Sequence, residues 1–359
     1  MGVKSPVLGG LGRVTRNPEV EGLLAISAAV LLRLPVLPRI RGCRRIESLK
    51  TIADLRFSGG QRDIRFKERP IKTREHSLSR RIIVVVRAGI VAFFIALFLQ
   101  GVWSALITVN LATSPEIPWS VPVIVLLVWL AWQYLGGKWV PRRTAEVRHR
   151  YLRARAMPAR VFAWALLAGA LSIVALAGCW IVMTRFVRMP GNVLPDMSQY
   201  PWLTTALMVV TGSLIGPVME QAGFWGYGQV MLEEEFRPPV AILILSVLFA
   251  VGPHPPVGSP LWPRLVFYFL TSITFGAMAL FTNSILPGLV VHIIGDLTFF
   301  TLVWPHDPVR PLVGETGTDA WLWLRVAQTI VFTTLAVLAF VQLARVARPV
   351  RAAVLDGYR

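Results

Sequence analysis

The sequence predicts an all-α, polytopic transmembrane helical bundle of about eight helices. Three observations carry that expectation. Hydrophobic residues make up 55% of the 359 and charged residues only 16%, with a mean hydropathy of +0.59, whereas soluble domains carry about a quarter charged residues. Apolar runs recur along the chain at or near the ~20 residues that cross ~30 Å of hydrocarbon. Basic residues crowd at the two ends and in one internal loop, as expected of loops that resist translocation.

The apolar runs fall at 83–111, 118–136, 160–184, 203–231, 238–253, 263–282, 284–303 and 320–345. The fifth is short, and the seventh follows closely on the sixth. Before them, residues 1–81 form a basic segment rich in Gly and Pro, with one weak apolar patch, Leu23 to Leu37, that Arg33 interrupts. That patch is too short to span and lacks a small-residue cleavage site, so 1–81 reads as a poorly ordered cytoplasmic extension. Residues 82–346 read as the membrane domain, and 347–359 as a basic tail.

Arg142, Arg143, Arg148, Arg150, Arg153 and Arg155 lie between the second and third runs, while Ala112 to Pro118 has no basic residue. Eight helices with both termini cytoplasmic satisfy this pattern, and the expected location is a bacterial plasma membrane. The net charge of +18 follows the membrane-flanking loops instead of a recognition helix, so the partner is a lipid surface and not nucleic acid. Cys43 and Cys179 are too few and too differently placed to form a disulfide framework. No internal repeat is evident, which counts against a transporter built from inverted halves. The Trp residues near span ends, Trp103, Trp119, Trp139, Trp202, Trp262 and Trp304, read as an interfacial belt. Glu233, Glu234 and Glu235 read as a solvated turn.

Ionisable side chains inside hydrocarbon are costly and by default mark a site. Gly212, Gly216 and Glu220 fall at i, i+4 and i+8, so one helix face presents two small residues and then a carboxylate. Small residues admit a neighbouring helix and place the carboxylate inside the bundle; Gly223 extends the notch. His292 and Asp296 are an i, i+4 pair on one face of the seventh run, and His254 ends the fifth within Gly252-Pro253-His254-Pro255-Pro256. Each also has a structural reading, as an interhelical hydrogen bond or an interfacial histidine. At ~1.5 Å per residue, Glu220 and His254 lie about 20 and 25 Å from the acidic turn and His292 about 12 Å above Ser284, so straight helices would not superpose them.

Pro217-Val-Met-Glu220-Gln221-Ala-Gly-Phe224-Trp225-Gly226 resembles the first motif of the CPBP family (CAAX proteases and bacteriocin-processing enzymes), P-x-x-E-E-x-x-F-R-G. Phe249 leading to His254 is similar to its second, F-x-x-x-H. Pro287 leading to His292 and Asp296 is similar to its third, H-x-x-x-N or H-x-x-x-D. The three occur in the family's order across about residues 200–300, so the resemblance implies a CPBP-type core at about 200–303. Three departures stand out: Gln221 replaces the second glutamate, Trp225 replaces the arginine, and His254 is one residue further from Phe249 than in the motif.

The resemblance implies an intramembrane endopeptidase acting on a peptide or lipidated protein substrate, such as a prenylated CAAX-type tail or a leader peptide. In it Glu220 activates water, His254 positions that water, and His292 with Asp296 surrounds the oxyanion. Gln221, Phe224 and Trp225 would support the site. A zinc or other divalent ion held by His254, His292 and Glu220 is an alternative, although H-E-x-x-H is absent. From other classes come a non-catalytic relative that binds a membrane partner, supported by Gln221 and Trp225, and a proton-coupled transporter.

Overall fold

The computed structural model describes residues 78–189, 199–252, 254 and 260–356, with side chains to 348. The extension read at 1–81 lies outside the described residues as far as 77. The first helix, α1 (Leu78–Thr113), begins four residues before the expected boundary and carries Arg80 and Arg81 within it. There follow α2 (Ser120–Leu135), the short α3 (Ala145–Leu152) and α4 (Ala159–Thr184). Next, α5 (Trp202–Glu220) passes through π-helical Gln221–Gly228 into α6 (Gln229–Glu233). Then come α7 (Pro238–Ala250), α8 (Leu261–Thr282) and α9 (Leu286–Thr298), the last prolonged by π-helical Phe299–Val303. A short α10 (Val313–Thr316) leads to α11 (Ala320–Asp356), so the residues read as a tail from 347 continue the last helix. The described residues contain no strand.

Six helical segments are long and apolar enough to cross a membrane: Leu78–Thr113, Ala159–Thr184, Trp202–Glu233, Leu261–Thr282, Leu286–Val309 and Ala320–Arg348. The other two apolar helices, Ser120–Leu135 and Pro238–Ala250, reach only about 24 and 20 Å, short of the ~30 Å hydrocarbon thickness. Contacts at the helix ends nevertheless show all eight running alternately between two faces. At one face, Arg80 pairs with Glu235 at 3.2 Å, Arg150 with Glu234, and Arg153 with Glu233 at 3.1 Å. There Arg153 also donates from Nε to Asn283 Oδ1 at 3.0 Å. At the opposite face Thr204 Oγ1 donates to the Pro115 carbonyl at 2.7 Å, and buried Arg185 grips Asp319 through both terminal nitrogens. Asp319 in turn accepts from the Leu322 amide at 2.7 Å, capping α11.

The acidic turn is therefore ion-paired at each carboxylate, with only Glu234 left half-exposed to solvent. Three consecutive carboxylates each engage an arginine from α1, α3 or the residue after α3, and Glu235 is only 3% exposed. Such pairings between distant segments leave no trace in local sequence. The tryptophan belt is also only partly present. Trp139, Trp202 and Trp262 are exposed, whereas Trp304 is buried against Trp180, Phe299 and Phe300. Trp103 packs into the Gly212 notch and donates to Thr211 Oγ1 at 3.4 Å.

The glycine notch seats α5 and its π segment against α1. A Cβ on Gly212 would lie 2.9 Å from Trp103, and one on Gly223 only 2.5 Å from the Ala92 carbonyl oxygen. Backbone cannot yield as a flexible side chain can. Gly223→Ala is thus expected to destabilise the bundle by about 1–3 kcal/mol, read as a lower melting temperature in detergent. An unchanged melting temperature would mean that α1 does not pack this closely.

Candidate active site

Glu220 closes α5, three residues after Pro217, whose missing amide already interrupts the helical ladder. The π segment begins at the next residue, and its i→i+5 bonds pack more residues into each turn than an α-helix does. π-Helical turns are often found at functional sites. A second one follows Asp296 after two residues, beginning at Phe299, so both carboxylates stand just before a change of helical winding. The 3.6-residue periodicity used to read spans does not register either change.

The two helices bring three of the four predicted side chains together. His292 Nε2 lies 3.7 Å from Glu220 Oε2 and 3.6 Å from Asp296 Oδ1. Exposures of 8%, 14% and 28% for His292, Glu220 and Asp296 grade from a sealed imidazole to an accessible carboxylate. Both separations exceed a direct hydrogen bond, and a water or a substrate oxygen can bridge the groups from the open side. His292 Nδ1 is buried without a hydrogen-bond partner. The ring is held by Phe275, at 4.5 Å between centroids, and by the edge of Trp225 at 5.9 Å.

His254 joins from the side. The chain turns at Val251 and Gly252, and the imidazole folds back over the end of α7, with Nε2 2.7 Å from the Phe249 carbonyl oxygen. A Cβ on Gly252 would lie 2.8 Å from that nitrogen, so the fold-back requires glycine there. The ring stacks on Tyr268 at 4.1 Å and 24°. Tyr268 is within electrostatic reach of both Asp296 and Glu220, and His292 is within reach of His254. Since a carbonyl oxygen only accepts, Nε2 carries a hydrogen; in the neutral ring Nδ1 is then the acceptor.

Gln100 of α1 was not among the predicted residues. Its Nε2 donates to Glu220 Oε1 at 2.9 Å, fixing one carboxylate oxygen while the other faces His292. Its signal in the sequence is an amide inside an uninterrupted apolar run, which carries no formal charge and so marks a site less sharply than an ionisable group does.

The supporting residues take definite places. Gln221 is fully buried beside Gly288, where a Cβ would lie 2.9 Å from its Oε1, one turn before His292 on α9. Phe224 packs edge-on to Phe93 and Phe249. Trp225 is fully buried among Phe249, Phe275 and His292 and donates Nε1–H to the Ser272 carbonyl at 3.2 Å. The set read for zinc, His254, His292 and Glu220, is not gathered as a metal site: among the described residues no three His, Cys, Asp or Glu side chains are placed to hold an ion.

Fold and site together define a polytopic helical membrane protein with an acid–imidazole cluster between its later helices. Residues 201–298, spanning α5 to α9, match the Rce1-like family, described as type II CAAX prenyl endopeptidase Rce1-like. Over that stretch the chain carries the pattern of a CAAX-type membrane protease family, in agreement with the CPBP resemblance of its motifs. No curated protein and no solved structure matches the chain.

Proposed function

We propose that this protein is an intramembrane endopeptidase that uses water activated by Glu220 to cut a membrane-associated or lipidated, CAAX-type protein or a leader peptide. The supporting observation is that Glu220 Oε2 and Asp296 Oδ1 both lie close to His292 Nε2, at 3.7 and 3.6 Å, within the segment that matches a protease family.

In this reading Glu220 takes a proton from a water whose oxygen attacks the peptide carbonyl carbon. Charge moves to the carbonyl oxygen, which lies beside Asp296 and accepts a hydrogen bond from the His292 Nε2–H. Collapse of the tetrahedral species breaks the C–N bond, and the departing amine receives the proton held by Glu220. His254 accepts a hydrogen bond from the attacking water through Nδ1. The basic face, where the first described helix begins and the last one ends, is the cytoplasmic one.

Reconstitution into liposomes with prenylated CAAX-ended peptides, leader peptides and unlipidated soluble controls tests the assignment. New termini, found by mass spectrometry, are expected in a lipidated or leader peptide and not in the controls. Intact peptides throughout would sink the proteolytic reading.

Gln100 enters as a positioning residue. Gln100→Leu removes a hydrogen bond to a charged acceptor, a loss of about 1.5–3 kcal/mol, so cleavage should slow about 10- to 100-fold with the fold retained. Gln100→Asn, which keeps the amide on a shorter stem, should recover part of the rate. Equal rates in all three proteins would remove Gln100 from the site.

A further inference from the structure

Across α8 from the acid–imidazole cluster, a cavity of about 680 Å³ lies between α4, α8 and α11. The two sites use opposite sides of α8. Ser272 and Phe275 face Trp225 and His292, whereas Leu270, Ile273 and Ala277 line the cavity, and the 3.6-residue period sets these groups on opposite faces. A chain lying in this cavity is thus separated from the reacting groups by the thickness of a helix.

The walls are hydrocarbon for most of their length. Three of the four lining hydroxyls turn back into their own helices: Ser172 donates to the Ala168 carbonyl at 2.8 Å, Thr274 to Leu270 at 3.1 Å and Thr329 to Arg325 at 2.8 Å. Charge appears at one end only, where Arg345 and Arg348 join the lining. They stand three residues apart on α11, both exposed, and no ion pair engages either among the described residues. From Thr329 to Arg348 the α11 side of the lining is about 28 Å long, comparable to the ~30 Å hydrocarbon core. The charged end lies toward the face of the Arg150 and Arg153 ion pairs, because α8 ends there through Asn283 and Arg153.

A hydrocarbon-walled cleft with two cations at the membrane edge that no described residue pairs with has the complement of one kind of molecule. We propose that it binds an anionic phospholipid, the acyl chains lying along α4, α8 and α11 and the phosphate on Arg345 and Arg348. A zwitterionic lipid such as phosphatidylcholine would fit the walls equally well, but its choline ammonium offsets the phosphate charge beside the two guanidiniums, so a net-anionic lipid is favoured. Attraction of basic residues to anionic lipid amounts to roughly tenfold or more for two arginines.

The test uses the full chain in nanodiscs of phosphatidylcholine with graded phosphatidylglycerol, with bound lipid counted by native mass spectrometry. Wild type should retain phosphatidylglycerol at least about tenfold over phosphatidylcholine, and Arg345→Gln with Arg348→Gln should abolish that preference. Val337→Trp, at an exposed position of the lining, should reduce retention of both lipids. Three results would overturn the proposal: no preference in wild type, a preference that survives the double substitution, or cross-links from position 337 joining two copies, which would make a second chain the occupant.

Discussion

Glu220→Gln is expected to lower cleavage of a reporter peptide by about 10²–10⁴-fold while leaving melting temperature and detergent behaviour near those of wild type. The substitution is close to isosteric, and its oxygen still accepts from Gln100 Nε2, which lies 2.9 Å from Glu220 Oε1. What it removes is the capacity to take a proton from water, through the oxygen nearer His292. A structural carboxylate would behave in the opposite way, because its loss would affect stability first and leave cleavage to follow folding. Equal cleavage by wild type and variant would exclude Glu220 from the chemistry and favour a bundle that only binds.

Trp225→Arg is expected to destabilise the protein by about 3–5 kcal/mol, measured as a fall in melting temperature. The side chain is fully buried among Phe249, Phe275 and His292 and satisfies its one donor at the Ser272 carbonyl. A guanidinium there gives up that aromatic packing and puts a permanent cation in a space arranged for a ring. Where the family motif has arginine here it also has a second glutamate, and this chain has Gln221, fully buried with neither amide atom hydrogen-bonded. If the two departures compensate each other, adding Gln221→Glu to Trp225→Arg should recover part of the loss. An unchanged melting temperature in the single variant would mean that the aromatic setting of Trp225 contributes little.

The sequence made some of this readable and hid the rest for identifiable reasons. Apolar runs mark helices in lipid because every backbone polar group must be satisfied within its own segment, and each of the eight runs corresponds to an apolar helix. Run length alone overstated the short pair, of which α7 has only 13 residues. His292 and Asp296 were legible as partners because i, i+4 spacing fixes a shared face. Glu220 was legible because the glycines before it announce a close neighbour.

The identity of that neighbour was not legible. Gln100 and Glu220 are 120 residues apart, and nothing local to either predicts the bond. The π turns after Glu220 and Asp296 depend on how the helices pack, which periodicity does not encode. For the same reason the three glutamates of the acidic turn read as solvated, since their arginines come from other elements. The fold-back of His254 was half-visible: Gly252 and the prolines marked a helix end, but not the direction the imidazole would take.

The proposed site requires an acid and an imidazole from different helices to act on one reacting centre. A double-mutant cycle in cleavage, with Glu220→Gln, His292→Ala and the pair, tests this. Residues that work as a unit are strongly non-additive. The paired variant is therefore expected to be no slower than the slower single variant. Losses that multiply, each substitution costing its full factor in the presence of the other, would show that the two side chains contribute independently and would contradict a shared catalytic site.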